Sequence, residues 1–463
     1  MRRVRTSLAL LAVLGSAALV AGCSSSSANS SDDKSITVWS LEEQPDRLAK
    51  AKADAADFTK KTGINVKLVG INEDQFPQLL TAAAAAGTMP DVIGALPLSD
   101  VRTMSGNDLV DTKATTQIVK DLGPDTFSKS ALDLTRDGST QLAVPSDGFA
   151  LSVIYRKDLF AKAGLPAPKT YADLLNAAQK LNSPQIAGFV GGTSPSTSFT
   201  QQLFEWVALA NGCQLVDESG KVTIDSKQCV DAFNFYGNLI KNYSVPGSLD
   251  STGTKTTYMA GKAAITIWAS FILPEMDGQD KDIMPTCPEC KADPSFIAKN
   301  SGFVTSFQGP DGTAPVQGGD VTSWVVTATA ATSPATKFVE YFMNDGYLPW
   351  LNQAPEGKFP TRHGTPDDPQ KFIKGWSQLS TGVDTKAPLS ANYTQDEITG
   401  WQNSVDTFSR WAFTQGQGNL MGSILTQLPI PKAINGLANG SIDGAGAASQ
   451  AQKAVQAIQK SSK

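Results

Sequence analysis

A single histidine, His363, serves the whole 463-residue chain. A nucleophile–histidine triad would have to be built around it. The chain has no G-x-S-x-G turn for an exposed nucleophile and no G-x-x-x-x-G-K-[ST] phosphate loop. A zinc hydrolase would lack ligands of the usual type. No run of lysine or arginine stands out and the net charge is −5, which disfavours nucleic-acid binding. Beyond the N-terminus nothing is long and apolar enough to span a bilayer. No internal repeat is present, and nothing calls for a cofactor or a metal. The enzymatic option left is a glycosidase using two carboxylates. The 44 acidic residues leave it open, but spacing marks out no pair.

What is present begins with an export signal. Arg2, Arg3 and Arg5 precede an apolar run from Leu8 to Val20, and small residues lead to Cys23. The run is shorter than the roughly 20 residues of a spanning helix and reads as a signal peptide over residues 1–22. Val20-Ala21-Gly22-Cys23 resembles the bacterial lipobox. That resemblance implies lipid on Cys23, two acyl chains of which anchor stably. Residues 23–34, rich in serine, read as a flexible tether. Without the three signal arginines the mature chain holds 36 basic and 44 acidic residues. It is expected at the outer face of the cell membrane.

Only four further cysteines occur: Cys213, Cys229, Cys287 and Cys290. Export permits disulfides, and four cysteines allow three connectivities. Cys213–Cys229 and Cys287–Cys290 are favoured. The first pair brackets a hairpin with its turn at Glu218-Ser219-Gly220. The second closes a Cys-Pro-Glu-Cys loop. A four-cysteine zinc site is the rival, weakly supported by one C-x-x-C.

Hydrophobic periodicity predicts a strand over Ser35–Trp39, a helix over Asp46–Lys61 and a strand through Ile64, Val66 and Leu68. A helix over Phe76–Ala86 and a strand from Val92 follow. This order implies a parallel βαβ sheet, with ligands beyond the carboxyl ends of its strands. A second α/β section opens near Val144. Thr170 and Asp173 are placed to cap a helix. Ala263–Trp268 and Val321–Thr329 read as buried strands, Pro334–Met343 and Ala445–Gln459 as helices.

Several segments together resemble family 1 of the extracellular solute-binding proteins, the receptors of ATP-driven sugar importers. They are Ala86-Gly-Thr-Met-Pro-Asp-Val92, Tyr155-Arg-Lys-Asp-Leu-Phe160 through Gly164 to Tyr171, Met259-Ala-Gly-Lys-Ala-Ala-Ile265, Gly318-Gly-Asp320 and Phe359-Pro-Thr-Arg362. The likeness runs in order along nearly all of the mature chain. Arg156 departs from it, where the family often has asparagine. The resemblance implies an α/β fold of two lobes, type II periplasmic-binding-protein-like, joined by crossover strands and closing like a hinged trap. It places crossings near Leu142–Pro145, Gly261–Ala264 and Val325–Ala328. The N-lobe would hold residues 35–143 and 264–325, the C-lobe 144–263 and 326–463. A monomer that binds a di- or oligosaccharide and passes it to permease subunits is the expected function. A receptor for another polar solute, such as a glycerophosphodiester, and a secreted glycosidase are the alternatives.

Sugars need aromatic faces for their C–H surfaces and a few convergent polar groups for their hydroxyls. Glu42, Glu43 and Gln44 follow the first strand on the expected binding face, although acidic residues also favour a helix start. Asp147 sits at the first crossover, where both lobes meet, and is a favoured ligand residue, against a turn role before Gly148. Trp268, with Ser270 nearby, is placed by the family likeness as a stacking platform, against a plain core role. Gly318 and Gly319 allow close backbone approach. Arg362 offers a fork for two hydroxyls. Asp320 and Trp324 are weaker candidates.

Overall fold

The computed structural model describes residues 34–461. Cys23, the signal segment and nearly all of the tether lie outside the described residues. Among the described residues no helix is long and apolar enough to cross a membrane.

The first five elements follow the sequence pattern. Strand β1 (Ser35–Ser40) pairs in parallel with β2 (Asn65–Gly70) and with β3 (Val92–Pro97). The helix Pro45–Thr62 connects β1 to β2 and buries Ala51, Ala55 and Phe58. Gly63, at φ 74°, ends it in the left-handed conformation that glycine adopts without strain. Helix Phe76–Ala86 returns the chain to β3.

The long strand β4 (Val144–Arg156) organises the rest. Short strands β5 (Ile265–Ala269), β6 (Ser301–Val304), β7 (Gly319–Val326) and β8 (Phe359–Pro360) all reach the same sheet. The order along the main path is β8-β4-β7-β3-β1-β2. The first half of β4, up to Ala150, pairs with β7 and β8. The second half, from Leu151, pairs with β5 and β6. One strand thus carries two halves of sheet end to end. A bulge opposite Thr322 and Ser323 breaks the β4 register between Pro145 and Asp147, which adds twist and re-aims side chains there.

This pairing corrects the expected boundaries. The crossing expected at Gly261–Ala264 does not bring the chain to the first half, because β5 and β6 lie along the second half of β4. The edge of the first half is already taken by β7. Conversely, helix Thr332–Phe342, expected in the C-lobe, packs on the first half: Phe338 meets Phe58 edge-on at 5.3 Å, and Trp324 meets Phe342 at 5.1 Å. On the first half Phe58, Trp324, Phe338, Phe342 and Trp350 pack ring against ring. Gly94 is required beneath Trp324, since a Cβ there would fall inside the indole ring.

Other helices cover the second half. Thr170 and Asp173 form the expected capping box. Helix Ser198–Ala210 packs on helix Lys227–Asn242 through stacked Phe204 and Phe233, 4.2 Å between centroids. The hairpin between Cys213 and Cys229 forms, with Val216 opposite Val222. The Cys213–Cys229 and Cys287–Cys290 pairs lie at disulfide distance, with Cα atoms 4.7 Å and 5.0 Å apart. Among the described residues no cluster of histidine, cysteine and carboxylates is placed to hold a metal. Late in the chain, helix Gly418–Gln427 leaves the second half and lies on helix Leu98–Gly106 of the first.

Candidate functional site

Two polar clusters meet where the halves of the sheet join. The first gathers at the end of β1. Lys358 is 1% exposed and pairs with Glu42 Oε1 at 2.6 Å and Asp147 Oδ1 at 3.4 Å. Its ammonium also lies 4.1 Å from the centre of the Trp350 ring, a favourable cation–π position. Arg47, in the first turn of the first helix, donates to Glu42 at 3.1 Å. Burial alone would raise the pKa of Glu42, but Lys358 and Arg47 outweigh it and hold the group at about 2. Asp147 is saturated: its oxygens also accept from Ser146, Thr322 and the Trp350 indole N–H, at 2.7, 2.9 and 2.7 Å. Beside them Glu356 is buried with Oε2 unpartnered, and burial pushes its pKa up against the pull of Arg47.

An aromatic ring closes over this cluster from the other half. Strand β5 ends at Ala269, and a short 3₁₀ turn over Ser270–Ile272 swings Phe271 across the seam. Its ring lies 5.6 Å from Phe149 and 5.4 Å beneath the Arg47 guanidinium. Gly357 is the floor, for a Cβ there would enter the ring. Ser270 beside it is buried with its hydroxyl unpartnered.

The second cluster lies about β7. Arg410 donates from Nε to Glu205 Oε1 at 2.8 Å and pairs through Nη1 with Asp320. Burial opposes its charge; Asp320 and Glu205 more than offset that and raise its pKa. Asp100, at the start of helix Leu98–Gly106, is raised to about 7 by burial first, then by Glu73 and Asp320. Gly318 and Gly319 form a shelf between these groups: a Cβ on the first would strike the Trp206 ring, and on the second the Phe408 ring. A small cavity lies between the shelf, Phe149, Trp206, Glu205 and Arg410.

The sequence-predicted residues thus separate. Glu42 and Asp147 meet through Lys358, and Gly318 and Gly319 line the second cluster's cavity. Glu43 is exposed and accepts from Asn72 at 2.5 Å, while Gln44 occupies the N-cap position of the first helix. Trp268 is half-buried away from Phe271, packed on Phe199 at 5.5 Å and donating weakly to the Ser251 carbonyl. Arg362 departs from its expected place. It is 1% exposed, and its guanidinium donates to the carbonyls of Leu122 and Met343, to Asn344 and to Thr126. Those two carbonyls end helices Thr112–Leu122 and Thr332–Phe342. Helix C-termini leave such acceptors unpaired and carry partial negative charge, so a buried cation settles there.

Lys358, Phe271, Glu205 and Arg410 were missed. Glu205 carried a signal, as the one acid in the apolar run Phe204–Ala210. Phe271 lay three residues beyond the favoured Trp268, but only the turn after β5 shows which ring reaches the seam. Lys358 and Arg410 had no local pattern.

The sequence profile described as bacterial extracellular solute-binding protein matches residues 42–348. An ABC transporter periplasmic-binding protein of Escherichia coli (strain K12), YcjN, is 30% identical over 77% of this chain and 79% of its own. A probable ABC transporter-binding protein of Deinococcus radiodurans is 26% identical over 46% of this chain and 52% of its own. Among solved structures, the GacH receptor of Streptomyces glaucescens, crystallised unliganded and with acarbose, superposes with TM-score 0.68 at 19% identity, over 92% of this chain and 98% of that one. The maltose-bound MalE3 of T. maritima gives 0.68 at 19% identity, over 92% and 99%. These likenesses establish the two-lobed α/β fold.

Proposed function

Since the chain belongs to the bacterial extracellular solute-binding proteins, the binding components of ABC transporters, we propose that its solute is a carbohydrate, a di- or oligosaccharide, taken up by hinge closure and passed to a permease. The observation that carries this reading is Phe271 held across the seam of the two halves, above a set of paired charges. An aromatic face with fixed polar groups around it is what a pyranose needs. The acarbose and maltose complexes of structurally similar proteins support it. In this reading the solute takes the place of contacts now made between Phe271, Arg47 and Gly357, donates a hydroxyl to Glu42 and hydrogen-bonds with Ser270.

An anionic solute such as a glycerophosphodiester fits less well. Each of Arg47, Lys358 and Arg410 is already paired with a carboxylate. Asp100, Asp320, Glu205, Glu42 and Glu356 add negative charge along the seam. Nor does the family argue for turnover: its members bind solutes for transport. Lipid on Cys23 would hold the receptor near its permease while the tether lets it swing. A thermal-shift screen of mono-, di- and oligosaccharides tests the central claim. Stabilisation by one class of sugar, without hydrolysis, is the expected result; a broad panel giving no shift overturns it.

A further inference from the structure

The two oxygens of the Glu205 carboxylate have unequal surroundings. Oε1 accepts from Arg410 Nε at 2.8 Å and from the Trp411 backbone N–H at 2.9 Å. Oε2 is buried with no hydrogen-bond partner, on a residue only 2% exposed. A buried acceptor left unpaired is costly, and most such atoms in native proteins have a partner, from the protein, ordered water or a ligand. The side chain lines the small cavity behind the Gly318–Gly319 shelf, with Phe149 and Trp206 as walls. The shelf can send no side chain into that space, because Cβ atoms there would strike Trp206 and Phe408. Arg410 is held through Nε by Glu205 and through Nη1 by Asp320.

We propose that Glu205 is a specificity-determining residue: its Oε2 accepts a hydrogen bond from one hydroxyl of the bound saccharide and so requires a donor at that position of the sugar. The inference rests on the carbohydrate reading above. Paired with Arg410, the carboxylate can only accept, so a hydroxyl fits and an acceptor-only substituent does not. The cavity is of a size for a single hydroxyl, not a ring. Asp320 and Asp100 nearby make a phosphate or carboxylate at the same position unwelcome.

Calorimetric titration of the intact mature protein separates the possibilities. The probes are D-glucose, D-galactose, maltose and trehalose, each with its single-deoxy and deoxyfluoro analogues. Fluorine keeps an acceptor and removes the donor. At one position both replacements should cost the wild type about tenfold or more in affinity, as sites built around a hydroxyl reject analogues lacking it. In Glu205→Gln, whose amide can turn a donor to the cavity, the parent sugar should weaken about tenfold and its fluoro analogue should bind no worse than the parent. Equal wild-type affinity for hydroxyl and fluoro forms at every position overturns the proposal without needing the variant to fold. So does a Glu205→Gln protein with an unchanged hydroxyl-to-fluoro ratio. If no sugar of the thermal-shift panel binds, these four included, the carbohydrate reading fails and this inference with it.

Discussion

Phe271 is not a member of the core; it lies in a notch between Phe149, Gly357 and Arg47. Truncating it should leave the fold intact and remove a stacking face. Phe271→Ala is expected to weaken solute binding by about tenfold or more, near 1.4 kcal/mol, with an unchanged circular dichroism spectrum; titration calorimetry reads it. Trp268→Ala should weaken binding far less, since Trp268 packs on Phe199. Asp100 provides a pH test. Burial, then Glu73 and Asp320, raise its pKa to about 7, against about 3.9 in an unfolded chain. Between those values the folded state holds the proton more tightly, so this group's contribution falls as pH rises from 4 to 7 and is lost above. Asp100→Asn mimics the protonated form. Its melting temperature should match the wild type near pH 4 and exceed it above pH 7. A constant difference across that range would show that Asp100 does not titrate in this way.

At the scale of elements, β4 and helix Gly418–Gln427 both tie the halves together. The helix faces Leu98–Gly106 with its glycines: Gly422 lies over Thr103 and Gly418 over the Arg102 guanidinium, where a Cβ would collide with either side chain. Such close approach tolerates no added bulk. Gly422→Leu should push the helix off its seat at a cost of about 1–3 kcal/mol, measured by urea unfolding, and enlarge the radius of gyration in solution scattering. An unchanged radius would mean the helix is not a latch between the halves. Elements were the most legible level in the sequence. The βαβ opening, the Thr170 cap and the hairpin before Cys229 follow from periodicity, capping chemistry and turn residues, all local signals. The destinations of β5, β6 and helix Thr332–Phe342 were not legible, because which edge of β4 remains free is settled only after β7 has paired.

For the whole molecule, the expected behaviour is a receptor tethered at its N-terminus that closes on solute. A sugar bound only by the folded form at a hundredfold its dissociation constant adds about 2.7 kcal/mol of stability. Replacing the lipobox cysteine, Cys23→Ser, should release the protein from the membrane fraction into the medium while leaving its sugar affinity intact; retention in the membrane fraction would refute the anchor.

By itself the sequence determined the order of strands and helices and the likeness to solute-binding proteins. Each of these is written in residue types and short spacings. The tertiary structure decided the site. Arg362, favoured for its fork, is consumed by the carbonyls of two helix ends. Lys358, with no pattern to announce it, becomes the ion that Glu42 and Asp147 share. Glu205, Asp320 and Arg410, 205 residues apart at their extremes, meet beside a glycine shelf. A charged side chain's partner is fixed by what folding brings within hydrogen-bond reach, and that distance is not written along the chain.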